Sequence, residues 1–220
     1  MTDKESILLH LTSRNYEING LTYFSSFWGG LRDARKMTGR NLETGVKDNS
    51  NTFGHFGSWL GAIGYLSILE QIGNCFEKIN GPITEANKSG IIKALKNFSD
   101  LNDDNKIDAL YALRNCFVHD FSLQNIGKSQ SLIHHFIVDN SSTNSIVILP
   151  LQKWDGIIIN KNSLNRTYIN LQALGDMIEN LILNLITLVY NNEVEITLAG
   201  GKEELINKYS LVSGKMVIIG

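Results

Sequence analysis

"IDALYALRNCFVHDFSL", residues 107–123, has the periodicity of a buried helix but carries side chains such a helix does not ordinarily hold. Ile107, Leu110, Arg114, Phe117 and Phe121 recur at spacings of three, four, three and four, which makes one stripe of an α-helix. Arg114 thus takes a place where leucine is expected. A guanidinium on that stripe must meet a carboxylate, a phosphate, water or carbonyl groups, because burying it unpaired is very costly. Asn115 and His119 are one turn apart and point the same way. Arg114 and His119 lie roughly 140° apart on an ideal helix. One helix does not readily focus both on one atom, whereas two copies related by a two-fold axis do so more easily.

Helical periodicity dominates the rest of the chain. "INGLTYFSSFWGGLRDARKM" reads as an early helix weakened by Gly29 and Gly30. A polar loop, "TGRNLETGVKDNSNT", leads to Thr52 as a cap for "FGHFGSWLGAIGYLSILEQIGNCFEKI". Gly54, Gly57, Gly61 and Gly64 fall on one side of that helix, where a neighbouring backbone can approach closely. They lack the Lys-Ser/Thr ending and the preceding strand of a phosphate loop. "NGP" ends the helix, "SGIIKALKNFSDL" forms a shorter one, and "NDDNK" starts the helix that carries Arg114.

After "HDFSLQNIGKSQS", residues 119–131, the texture changes. "SLIHHFIVD" and "SIVILPL", joined by "NSSTN", read as a β-hairpin that "WDGIIINKNSLNRTY" extends. The clearest amphipathic helix follows, "INLQALGDMIENLILNLITLVYNN", and then a strand "VEITLA", a short helix "KEELINKY" and a strand-like "KMVIIG". The expected architecture is a single domain over residues 1–220 and mainly α. Its helical core spans residues 16–125 and 168–192, a small β insert spans 130–160 before the last long helix, and an αβ extension spans 193–220. A hairpin of this size cannot stand alone.

The chain has 220 residues, 43% of them hydrophobic, and a formal net charge of −2. That suits one substantial core and argues against a protein that coats nucleic acid through bulk charge. Cys75 and Cys116 show no metal spacing and read as buried free thiols. The N-terminus lacks the long apolar core of a signal peptide, and "LILNLITLVY", broken by Asn184, is too short for a membrane span. A cytoplasmic protein without membrane contact is the expectation.

"LRNCFVHD" resembles the Arg-x4-His motif of the HEPN superfamily (higher eukaryotes and prokaryotes nucleotide-binding domains), in which a small polar residue often follows the arginine, as Asn115 does here. The resemblance is strong over the motif helix and covers the helical layout of residues 53–125 loosely. It implies a HEPN-like helical bundle that forms a homodimer, with both motif copies meeting in one cleft. It further implies a metal-independent endoribonuclease of toxin, phage-defence or RNA-processing type, with no cofactor and in some members a protein antitoxin. In that chemistry Arg114 stabilises charge on the phosphate, His119 acts as base or acid, and Asn115 orients the phosphate or the histidine ring. Histidine is suited to this because the side chain exchanges protons near neutral pH. The alternative within the same fold is a non-catalytic dimer that binds a nucleotide, RNA or a protein, with Arg114 paired to a carboxylate and His119 capping carbonyl groups.

Other candidates are simpler. Arg32, Arg35, Lys36 and Arg40 share a helical face and form a second RNA-binding candidate, against the reading of a solvated face. His134 and His135 alternate on a strand and cannot jointly hold a metal. His55 reads as a packed structural histidine, Asp120 as solvent-facing, and Trp154-Asp155 as a turn.

Overall fold

Asn19 and Gly20 both adopt positive φ, 52° and 78°, and reverse the chain between β1 (Asn15–Ile18) and β2 (Leu21–Ser25). An Asn-Gly pair in this conformation matches the right-handed twist of a two-residue hairpin. Residues 18–25, expected as the start of a helix, are therefore the turn and second strand of an antiparallel pair, with Tyr16 stacked on Tyr23 at 5.7 Å. The helix begins only at α2 (Ser26–Met37), where the Ser25 hydroxyl accepts the Trp28 amide. This computed structural model describes residues 1–48, 59–82, 85, 87–139 and 145–213. Thr52, Gly54, His55, Gly57, the "NSSTN" turn and "KMVIIG" lie outside the described residues.

The protein is mainly α, with seven α-helices among the described residues. Besides α2 these are α1 (Asp3–Thr12), α3 (Trp59–Cys75), α4 (Gly90–Phe98), α5 (Asp104–Asn115), α6 (Leu171–Tyr190) and α7 (Gly201–Tyr209). Thr2, Ser89, Asp103 and Asn170 cap four of them by accepting first-turn amides. One continuous apolar cluster runs from Ile7 of α1 to Leu205 of α7.

The glycine side of α3 meets α2. A Cβ on Gly64 would stand 3.0 Å from that of Ala34, and one on Gly61 would collide with Thr38. Gly73 and Gly90 bring α3 and α4 equally close, since a Cβ on either would strike the other helix's backbone. Here the helix propensity lost to glycine is offset by close packing.

Among the described residues, three small sheets complete the fold. β1, β2 and the C-terminal β9 (Ser210–Ser213) form one, and β3 (Phe76–Lys78) pairs with β8 (Val194–Ile196). The third has the order β4 (Gln124–Asn125), β5 (His134–Val138), β7 (Arg166–Ile169), β6 (Val147–Ile148). β5 and β6 are thus not the expected hairpin. β7 lies between them, parallel to β5 and antiparallel to β6, with Thr167 and Ile169 fully buried. Residues 157–165 make two short 3₁₀ turns rather than a strand. "LILNLITLVY", expected as too short for a span, belongs to the 20-residue α6, which is long and apolar enough by composition. Its stripe of Leu171, Leu174, Ile178, Leu181, Leu185 and Leu188 is buried, and Asn184 donates to the Phe98 carbonyl, so α6 serves as a core helix.

His10 of α1 is wholly buried against Phe27 and Phe76. With the proton on Nδ1, the ring faces the Ser25 hydroxyl at 3.4 Å, and Nε2 accepts from Gln71 Nε2 at 3.1 Å. Burial pushes its pKa down to about 4. The unfolded chain binds the extra proton, so the stabilisation is complete above about pH 6.5 and is lost as pH falls toward 4. Urea denaturation between pH 7 and 5 is expected to show a loss approaching about 1.4 kcal/mol per pH unit from this group, which His10→Asn flattens.

Candidate functional site

Of the stripe on the motif helix, Ile107, Leu110 and Phe117 are buried as expected. The position beside Arg114, Leu113, is the fully buried one, and the Arg114 side chain is 25% exposed. Arg114 therefore stands at the edge of the apolar stripe rather than within it. Phe121, expected on the stripe, is 55% exposed.

A change of winding explains this. α5 passes directly into a π turn, Cys116–Asp120, which the left-handed Phe121 (φ 47°) terminates, and the Phe121 amide donates to the Cys116 carbonyl. A π turn bonds residues five apart instead of four, and such turns are frequent at functional sites. Within such a turn, residues five apart stand nearer to alignment than the 140° of an ideal helix. Trp59 of α3 supports the turn, stacked on Phe117 at 5.2 Å and tilted against Phe121 at 5.4 Å.

Glu70 of α3 lies beside the motif. Its Oε1 accepts the Gly90 amide at 3.1 Å, which anchors the carboxylate, and its Oε2 lies 3.8 Å from Arg114 Nε. That separation is too long for a hydrogen bond. Glu70 Oε2 is buried and makes none. Arg114 Nη1 donates to Asn115 Oδ1 at 3.3 Å. Asn115 thus orients the guanidinium rather than the histidine ring. His119 is exposed and makes no hydrogen bond or ion pair among the described residues. The motif thus holds a charged donor group that is positioned but not saturated, and five residues further along the chain an accessible imidazole. Cys116 is no part of it, since burial pushes its thiol up to about 12.

The second candidate divides. Arg35 and Arg40 are buried and serve the fold, which corrects the expectation that they contact RNA. Arg35 makes two bonds to Glu179, Nε to Oε1 at 2.9 Å and Nη2 to Oε2 at 2.7 Å, and its Nη1 donates to the Leu42 and Glu43 carbonyls. Arg40, beyond the end of α2, pairs with Asp176 at 2.7 Å and donates to the Gly45 and Gln172 carbonyls. Burial raises the Asp176 pKa, but its bonds with Lys47 and Arg40 outweigh this and hold it low. Arg32 and Lys36 face outward into a cleft.

The histidine pair sits as the strand alternation requires. His134 bonds Thr167 and the Ser131 carbonyl, and His135 bonds Asn165. Asp120 is exposed, and Asp155 accepts the Ile157 amide in a turn. Among the described residues, no three of His, Cys, Asp and Glu form a group suited to a metal ion. Sequence reasoning missed Glu70 and Trp59. The only signal for Glu70 was a lone acid in the apolar run "LSILEQIG".

Compared with protein-family models, with curated proteins and with solved structures, the chain matches none.

Removing one member of a buried pair strands the other charge. Arg35→Ala is therefore expected to cost about 3–5 kcal/mol in urea denaturation, against less than about 0.5 kcal/mol for Lys36→Ala on the surface.

Proposed function

We propose that the protein is a HEPN-like, metal-independent endoribonuclease in which Arg114, Asn115 and His119 act on RNA at an interface between two copies. The observation that carries this reading is the π turn directly after Asn115, which holds an exposed, uncommitted His119 and follows an unsaturated Arg114. In the reaction, an imidazole takes the proton of the ribose 2′-hydroxyl, and the 2′-oxygen attacks phosphorus. The bond to the 5′-oxygen breaks, and a second imidazole returns a proton to that leaving oxygen. The products are a 2′,3′-cyclic phosphate and a 5′-hydroxyl end. Arg114 donates two hydrogen bonds to the phosphate oxygens as their charge grows, and Asn115 holds the guanidinium in place.

One exposed His119 per chain supplies one proton-transfer group, so base and acid together require two copies. Val118 and Phe121, 45% and 55% exposed, flank His119 and form an apolar rim suited to self-association. A second reading, a non-catalytic binding module of this fold, draws on Glu70. Its carboxylate already neutralises part of the Arg114 charge and competes with phosphate.

Mixed RNA incubated in EDTA separates the two. Wild type is expected to leave 2′,3′-cyclic phosphate ends, and Arg114→Ala and His119→Ala are each expected to lose at least about a hundredfold in rate. Binding without cleavage by every form would instead establish the binding module. Sedimentation of Val118→Asp/Phe121→Asp is expected to show monomers where wild type is dimeric, and cleavage should fall with dimer content.

A further inference from the structure

A cleft of about 670 Å³ opens on the opposite face of α2 from α3, and it contains none of the motif residues. The β1–β2 hairpin contributes Arg14 and Phe24, α2 contributes Trp28, Arg32 and Lys36, and residues 39–48 form the far wall. Arg14 and Lys36 are exposed, and their side chains make no hydrogen bond or ion pair among the described residues. Arg32 Nε is buried and makes no hydrogen bond, with its nearest carboxylate, on the exposed Glu43, 3.8 Å away. A buried donor left unpaired at the wall of an open cleft calls for an acceptor from outside.

Arg35 and Arg40 explain why the cleft keeps its shape. The Arg35 bonds to the Leu42 and Glu43 carbonyls tie residues 39–48 to α2, and the Arg40 bond to the Gly45 carbonyl braces that segment from within. Arg35 also lies against the Trp28 ring at 5.6 Å, which fixes the indole at the cleft. Three cations gathered around two aromatic rings match a ligand with phosphate oxygens and a flat ring. Asp33, exposed and also lining the cleft, supplies an acceptor for hydroxyl or amino groups, which bare phosphate does not have.

We propose that this cleft binds a nucleotide: its phosphate is held by Arg14, Arg32 and Lys36, its base lies against Trp28, and a sugar hydroxyl or base amine donates to Asp33. The proposal stands apart from the ribonuclease reading and holds whether or not the motif cleaves RNA. The same chemistry is offered by a free mononucleotide and by a nucleotide within a single strand.

Calorimetric titration of the full chain tests this with four probes: AMP, adenosine, inorganic phosphate and a 2′-O-methyl tetranucleotide that 2′-hydroxyl chemistry does not cleave. At least one nucleotide probe is expected to bind with Kd below about 1 mM and more tightly than adenosine or phosphate. Tighter binding of AMP identifies a free nucleotide as the ligand, and tighter binding of the tetranucleotide identifies a strand. Arg32→Gln/Lys36→Gln should weaken that binding at least about tenfold, and Trp28→Leu should weaken it while leaving phosphate binding unchanged. Absence of nucleotide binding by wild type overturns the proposal, as does undiminished binding by a folded Arg32→Gln/Lys36→Gln variant. Loss of binding in Arg114→Ala also overturns it, because the nucleotide would then sit at the motif.

Discussion

Glu179 ties three helices at one carboxylate. From α6 it accepts two bonds from Arg35 of α2 and one from the Tyr65 hydroxyl of α3, at 2.9, 2.7 and 2.7 Å. Taking both charges out of water costs several kcal/mol per ion, and the arrangement is tolerable only because nearly every donor and acceptor is used. Burial, and then the neighbouring carboxylate, raise the pKa of Tyr65, which keeps that hydroxyl a donor. The pair does more than join helices. It orients the free end of the Arg35 fork toward the Leu42 and Glu43 carbonyls, so the segment after α2 takes its path from the same charge. Gly45 fits there because any side chain would strike Glu179.

The motif is built on the opposite principle. Glu70 is anchored to Gly90 across the tight contact of α3 with α4, but it stops short of a hydrogen bond to Arg114. A contact of this length between partly exposed groups contributes on the order of 1 kcal/mol or less. It holds the guanidinium in place without consuming its donors. The contrast between Arg35, saturated and buried, and Arg114, positioned and open, separates an arginine whose donors the fold uses from one that keeps donors unused. The π turn departs from regular winding directly after Asn115 and leaves His119 exposed.

The helices were legible wherever apolar spacing ran for two or more turns, as in α3, α5 and α6. The Asn-Gly turn of β1–β2 was also written in the residues, but the apolar run after it drew the helix too early. β7 was harder, because "RTYI" follows two turns and shows no longer alternation. Its central place depends on which strand edges the helices leave open. Arg114, Asn115 and His119 could be singled out because each breaks a strong local pattern. Glu70 could not, since a single acid in an apolar helix does not reveal what stands opposite.

The amino-acid sequence alone determined the helical character of α3, α5 and α6 and the need for a close neighbour along the glycine side of α3. All of these follow from rules that act within a few turns of chain. Only the tertiary structure decided that Arg35 and Arg40 face inward to Glu179 and Asp176 while Arg32 and Lys36 face a cleft. Four basic residues within nine positions read alike along the chain. Which of them lose their charge to the interior depends on carboxylates more than 130 residues away, and such pairings exist only once the chain has folded.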